Sequence, residues 1–408
     1  LLLGPVFLSF LSWELLMTVL RCCAALLVIG SSLVLQQNVV EGQTINHKLE
    51  PYLKSGNLPA VAAAVVERGV LTEYGAVGTR KMGAEIPVTI HDKFHLGSDG
   101  KAMTATIAAM MIEEGKLKWD STLGDVFPEL KKSMAPGVEK VTLEQLLSHT
   151  SGMRADDENL MKLLKDAFDV DGDLNDQRYW LLKESVKLPL VAKPSKAWAY
   201  NNRGYTIAGA MIERVSGKSW DELIVERIFE PFELTTAGLG TQSTLGKIDA
   251  PLGHMVQKDS KVKSYMAGPN ADNSLILGPA GTLHLSILDL ATWAGWNAGN
   301  GTRMPCNIVK PETVEKIHTP VFTIKGDNRP GTPPEGKYAH GWGWVSVDWA
   351  PYPLLYHGGS NGKNLAQIFI DKKKDIAIVV MTNIGGKQAD TALRGIAKEL
   401  YGNAVAQY

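Results

Sequence analysis

The chain has 408 residues, 45% hydrophobic and 21% charged, an ordinary globular balance with ample material for a core. A formal net charge of -1 gives it no global field to recruit nucleic acid or an anionic membrane. No Lys/Arg cluster with interleaved aromatics appears, so nucleic acid is not an expected partner.

Residues 1–42 differ from the rest. Met17 to Arg21 reads as a short basic n-region and Cys22 to Leu35 as an apolar h-region. Polar Gln36, Gln37 and Asn38 follow, and Val40 and Gly42 are small enough for a cleavage site. The pattern predicts translation from Met17, with residues 1–16 upstream of it, and a signal peptide ending at Gly42. The protein is then exported, periplasmic or secreted, without stable membrane association after leader cleavage. The rival is an uncleaved N-terminal membrane anchor, because residues 1–35 carry only Glu14 and Arg21 as charges and a span needs about 20 apolar residues. Cys22 and Cys23 fall in the leader. Cys306 alone remains, which excludes an intramolecular disulfide and fits a bacterial periplasm or exterior.

Ala60 to Glu67 and Val70 to Gly75 read as two strands joined at Arg68-Gly69. The apolar stretch from Phe94 turns at Gly97 and becomes a helix that stops near Gly115. Residues 116–290 are mostly helical by pattern. Within them Ile207, Ala208, Met211, Ile212 and Val215 share one helix face ending near Gly217. Ser286 opens another helix with capping-box-like spacing. The tail returns to strands at Tyr352 to His357, Asn364 to Ile370 and Ile376 to Thr382. A final helix carries Ala389, Ala392, Leu393, Ile396, Ala397, Leu400 and Tyr401 on one face. Strands at both ends and helices between predict one sheet built from both termini. The class is α/β (α+β), a single domain over 43–408 with a helical insertion at about 116–290.

Three motifs carry chemistry. Ser98 and Lys101 sit three apart where the first helix begins, so the ammonium can approach the hydroxyl on one helical face. A nearby lysine can lower a serine's pKa or accept its proton. The spacing is cheap, recurring at Ser260/Lys263 and Ser360/Lys363, and Ser98 also sits where a plain N-cap would. Tyr200 and Asn202, two apart in Ala199 to Tyr205, can present a phenol and an amide to one ligand. Tyr356 to Gly362 ends a strand in His357-Gly358-Gly359, leaving backbone open to a ligand or a developing oxyanion. The same stretch fits a Gly-x-Ser-x-Gly nucleophile elbow on Ser360. That elbow needs a later histidine and a following helix, whereas His357 is the last histidine and the strand-like LAQIFI follows. Ser360 is therefore rejected as nucleophile. Asp169 to Asp173 resembles part of a calcium loop, but its sixth and twelfth positions are Leu174 and Trp180 instead of Gly and Glu, so no metal site is assigned.

Taken together, FHLGSDGKAMTAT, LEQLLSHTSGM, AYNNRGYTIAGAMIERVSG, LGPAGTLHLSILDLATWAG and HGGSNG make the chain resemble the serine β-lactamase-like superfamily. The likeness is to the branch of class C β-lactamases, DD-peptidases and family VIII esterases, and it covers about residues 45–400. It implies a β-lactamase/transpeptidase-like fold: an antiparallel sheet flanked by helices, an all-helical lobe, and an active site between them. It also implies Ser98 as nucleophile, Lys101 as its activating partner and Tyr200 as general base and then acid. Asn202 would bind the acyl side or orient Lys101. His357, Gly358, Gly359 and Ser360 would bind substrate, with the backbone N–H groups of Ser98 and Ser360 as oxyanion hole. No metal or cofactor is required.

The sequence departs from that pattern twice. Asp99 and Gly100 stand where apolar or small residues are more usual, and a carboxylate beside the nucleophile disfavours a negative transition state unless it finds a partner. His357 stands where β-lactamases usually carry lysine. A neutral imidazole there favours neutral esters over β-lactams. DD-peptidase-like relatives also carry histidine there, so peptides stay open. The expected function is hydrolysis of carboxylic esters through an acyl-enzyme. DD-peptidase, D-amino-acid peptidase or weak β-lactamase activity is the runner-up, and a catalytically silent binding protein is the alternative of another class. The expected partner is a small ester, amide or peptide substrate. His149 in SHTSG reads as structural, and Trp342 and Trp344 read equally as pocket lining or packing.

Overall fold

Arg68 and Gly69 adopt positive φ of 49° and 82°, the backbone of a two-residue hairpin turn whose twist matches its strands. They join two of the nine strands of the main sheet in a computed structural model. The model describes residues 42–268, 271–303, 305, 308–325 and 336–406. The expected leader and Cys306 lie outside the described residues. The strands are β1 (Gln43–Thr44), β2 (Ala60–Glu67), β3 (Val70–Gly78), β4 (Phe322–Ile324), β5 (Gly336–Tyr338), β6 (Gly343–Val345), β7 (Leu354–Ser360), β8 (Leu365–Asp371) and β9 (Ile376–Thr382). Their order in the sheet is β1-β3-β2-β9-β8-β7-β6-β5-β4. Every pairing is antiparallel except the two-residue contact of β1 with β3. The last strand, β9, pairs with β2 from Ile376 opposite Glu67 to Thr382 opposite Val61, so both ends of the chain build one sheet, as expected.

Period-two alternation gives the sheet two apolar faces. Val61, Ala63 and Val65 of β2 share one core with Ile376, Ile378 and Val380 of β9. Ala60, Ala62, Ala64 and Val66 face the other way with Ala377, Val379 and Met381. Five helices cover the sheet or position the site: α1 (Asn46–Ser55), α2 (Gly100–Glu113), α3 (Asn202–Ser216), α4 (Ile287–Ala298) and α5 (Lys387–Ala406). Helices α1 and α5 cover the first face; all seven apolar positions assigned to the face of α5 are buried. Helix α4 covers the second face, and its core runs on into α2 and α3. Among the described residues, no helix is long and apolar enough to cross a membrane.

The middle of the chain needs correction. Helices dominate it as far as Phe229; beyond, the strands Gly238–Leu239, Gly253–Val256, Val262–Tyr265 and Leu283–Leu285 are interspersed with the short helix Gly278–Gly281. Strands of two to four residues are too short to print an alternation on the sequence. The same holds for β4, β5 and β6, which the sequence did not reveal. Two of these short pieces position the site. Phe94–His95 pairs with Leu283–Leu285, fixing the chain just before Gly97. Strand β6 pairs only with Leu354 to Tyr356 of β7, so His357 to Ser360 run on past it and pack against the turn at Gly97–Asp99.

Candidate active site

The chain leaves the Phe94–His95 strand, makes one 3-10 turn at Gly97–Asp99 and enters α2 at Gly100. Gly97 has φ of 53°, and a side chain on it would collide with the backbone N of Ser360. A side chain on Gly359 would collide with Leu96 O and the backbone N of Ser98. Strand β7 therefore lies bare against the Gly97–Asp99 turn, and the N–H groups of Ser98 and Ser360 border the same glycine contact. From Phe94 to Met111, Ser98 is the one residue that is not buried. Its hydroxyl caps nothing: Asp99 precedes α2, and neither helix start there has a side-chain capping bond.

The Ser98 hydroxyl meets Lys101 instead. The Lys101 Nζ lies 3.1 Å from Ser98 Oγ, 2.7 Å from Asn202 Oδ1 and 2.5 Å from the Ala280 carbonyl. The rings of Tyr200 and Tyr205 lie 4.9 and 5.3 Å from it, centroid to Nζ. Lys101 is fully buried. Burial pushes its pKa down to about 7, with Asp156 and Asp99 pulling the other way. A neutral amine has two N–H donors and one lone pair. Asn202 and Ala280 take the two donors, which turns the lone pair toward Ser98.

The second motif delivers its residues through the start of α3. Asn201 is the N-cap and accepts from Gly204 N. Asn202, the first helical residue, turns its Oδ1 to Lys101, while its N and Nδ2 donate to Asp156 at 2.8 and 2.6 Å. Asp156 was not legible in the sequence, where it reads as one charge in a solvated loop. Tyr200 is buried beside His149, ring centroids 4.3 Å apart. His149 has φ of 60° and accepts from Asn201 N at 3.4 Å. Burial, then the charge of Lys101, holds its pKa well below the ordinary value. It is a neutral member of an aromatic wall with Trp198, Tyr205 and Tyr338.

A seryl hydroxyl on a buried lysine, an asparagine and a tyrosine beside it, and the backbone N–H groups of one turn residue and one strand-end residue meet in one place. The family model described as Beta-lactamase matches residues 45–402. The chain belongs to the beta-lactamase family. Its fold is the β-lactamase/transpeptidase-like one, and its coarse activity class is serine hydrolase. Among relatives, penicillin-binding protein 4 of Amycolatopsis lactamdurans is 24% identical, over 85% of this chain and 86% of that protein. The octameric penicillin-binding protein homologue from Pyrococcus abyssi superposes with a TM-score of 0.71 at 23% identity, covering 87% of this chain and 77% of that one. The D-amino acid amidase from Ochrobactrum anthropi SV3, solved with L-phenylalanine amide, superposes with a TM-score of 0.68 at 18% identity, covering 88% and 97%.

Within this beta-lactamase-family site, the two sequence departures meet each other. His357 Nδ1 lies 3.1 Å from Asp99 Oδ1, and its Nε2 lies 3.3 Å from the Tyr338 hydroxyl. Asp99 and His357 are both fully buried. Burial pushes the His357 pKa down to about 3, with the Lys101 charge adding to it and a Gly358 backbone bond opposing. Burial likewise raises the Asp99 carboxyl well above its ordinary range, against the pull of Lys101. Both directions favour the uncharged pair, with the proton on the carboxyl. The assignment of His357 to substrate binding is thus corrected: both ring nitrogens are engaged behind β7, and the imidazole is wall. Asp99 places no free carboxylate beside Ser98.

The side chains of the remaining candidates have local structural roles. The Ser360 hydroxyl donates to Asn364 O at 2.6 Å and accepts from Gly362 N at 3.0 Å, so it closes a turn. Ser260 sits in the turn after Gly253–Val256 with φ of 64°. Asp173 caps the helix Leu174–Ser185. Trp342 is core, edge-on to His318, and Trp344 donates its Nε1–H to His318 O.

Proposed function

We propose that this protein hydrolyses carboxylic esters through an acyl-enzyme on Ser98. The observation that carries the reading is the Lys101 amine, buried, tuned to about 7 and held between Asn202, Ala280 and Ser98. Neutral Lys101 takes the Ser98 proton as Oγ bonds to the acyl carbon. The carbonyl oxygen, now negative, is held by the N–H groups of Ser98 and Ser360. Collapse breaks the bond to the alkoxide, which leaves as the alcohol with a proton from Tyr200. Water then attacks the acyl carbon and gives a proton to the Tyr200 phenolate, the bond to Oγ breaks as Oγ takes back its proton from Lys101, and the carboxylic acid departs.

Esters are favoured because the position where a β-lactamase presents a cation holds His357, uncharged and fully buried. A substrate carboxylate finds no counter-charge there. A second reading is an amino-acid amide, which also lacks a carboxylate. It is favoured by Asp156, which is solvent-exposed beside Asn202 and retains acceptor capacity for an ammonium. Side-by-side turnover of p-nitrophenyl butyrate, a chromogenic cephalosporin and D-phenylalanine amide tests these readings, with Ser98→Ala as control. Ester turnover that vanishes in the variant, with little cephalosporin loss, is the expected result. Dominant cephalosporin turnover contradicts the inference from His357, and dominant amide turnover selects the second reading. We also propose export on the leader pattern, for which N-terminal sequencing of the secreted product should find a start at Gln43.

A further inference from the structure

The segment before the nucleophile and the segment after the oxyanion strand meet at one carboxylate. His95 is fully buried in the short strand that leads into the turn. Its Nδ1 accepts the backbone N–H of Gly97 at 2.9 Å. A backbone N–H only donates, so Nδ1 bears no proton and the ring proton sits on Nε2. That Nε2–H straddles Asp272, 2.8 Å from Oδ1 and 2.9 Å from Oδ2. Asp272 Oδ1 also accepts from Asn361 Nδ2 at 3.0 Å and from Asn273 N at 2.7 Å. Asn361 directly follows Ser360, and its own Oδ1 accepts from Lys363 N at 3.1 Å and Asn364 N at 2.9 Å. The Asp272 side chain is only 6% exposed. Burial works against its charge, but His95 and the hydrogen bonds from Asn361 and Asn273 outweigh it and hold the carboxyl below its ordinary range.

We propose that Asp272 is a positioning residue that braces the Gly97–Ser98 peptide against the end of β7, keeping the N–H groups of Ser98 and Ser360 aimed at one oxygen. The inference rests on the reading of Ser98 as nucleophile. The two N–H groups come from segments far apart in sequence, and on their facing sides stand Gly97 and Gly359, which have no side chains to fix the gap. Asp272 fixes it from outside the cleft, through His95 on one side and Asn361 on the other. Oxyanion donors act only when pre-organised, so a loosened brace costs the transition state and spares ground-state binding. The carboxylate is needed because three donors converge on it; an amide in its place turns an N–H toward one of them.

The test uses the full protein with p-nitrophenyl butyrate as substrate and phenylboronic acid as probe, since its tetrahedral adduct on Ser98 puts an oxygen in the hole. Asp272→Ala is expected to lower kcat about 10- to 100-fold with KM within about twofold. Phenylboronic acid affinity should fall in parallel, while inhibition by butyrate stays unchanged. Asn361→Ala, which cuts one arm, should show the same signature at a smaller amplitude. Wild-type kcat and boronate affinity in Asp272→Ala, even with a lowered Tm, would make Asp272 a packing residue and overturn the proposal. If Asp272→Ala does not fold, Asp272→Asn and Asn361→Ala decide in the same way. Full activity in Ser98→Ala would instead sink the nucleophile assignment; loss there with intact Asp272 variants sinks the brace alone.

Discussion

Near Ser98 the protein buries two different sets of ionisable groups, Lys101 and the pair of Asp99 and His357. All three are buried, and burial works against the charge of each. The outcomes differ because the neighbours differ. Burial pushes the Lys101 pKa down to about 7 against the charges of Asp156 and Asp99, and its amine has fixed acceptors in Asn202 and Ala280, so it can change state during turnover. Asp99 and His357 have chiefly each other and the Tyr338 hydroxyl, and burial drives both toward the uncharged form. Desolvation alone does not make a catalytic group; in the proposed reaction Lys101, with fixed acceptors and an exposed anion within reach, is the base, and the sealed Asp99–His357 pair supplies rigidity.

The strongest way to break this contrast is Lys101→Ala. It should lower kcat/KM for an ester about 10³-fold or more, the scale of a lost general base, with the fold intact by circular dichroism. If it costs no more than Asp99→Asn, the two sets are not different in kind. The contrast is sharpened next by the pair. Asp99→Asn and His357→Gln should each cost about tenfold, and the double variant no more than either alone, because the two act as one unit. Additive losses would mean that the residues act separately. The smallest effect is expected from Asp156→Asn. Its negative charge raises the Lys101 pKa, so its removal lowers that pKa. Activity requires neutral Lys101, so kcat/KM of the wild type should rise with pH through about 7, and the limb should move to lower pH in Asp156→Asn. A limb that stays in place would disconnect Asp156 from the base.

Much of this was legible in the sequence where a residue's chemistry acts close to home. The hairpin at Arg68-Gly69, the cap at Ser286 and the buried face of α5 follow from local pattern. The Ser98/Lys101 pair follows from helical spacing. What escaped was long-range. The Ala280 acceptor is a backbone carbonyl, which no side chain advertises. Asp156 and Asp272 are acidic loop residues whose meaning comes only from the partners that the fold brings to them. Asp99 and His357 each looked like an isolated departure because they stand 258 residues apart; only the packing of β7 on the Gly97–Asp99 turn shows that each accounts for the other.

The central claim is that Ser98, activated by Lys101, becomes acylated. The most direct measurement is peptide mapping by mass spectrometry after acid quench of the protein with p-nitrophenyl butyrate. One butyryl group on the peptide carrying Ser98, absent in Ser98→Ala and strongly reduced in Lys101→Ala, is the predicted result. Acylation at Ser360, or turnover with no adduct on Ser98, would contradict it.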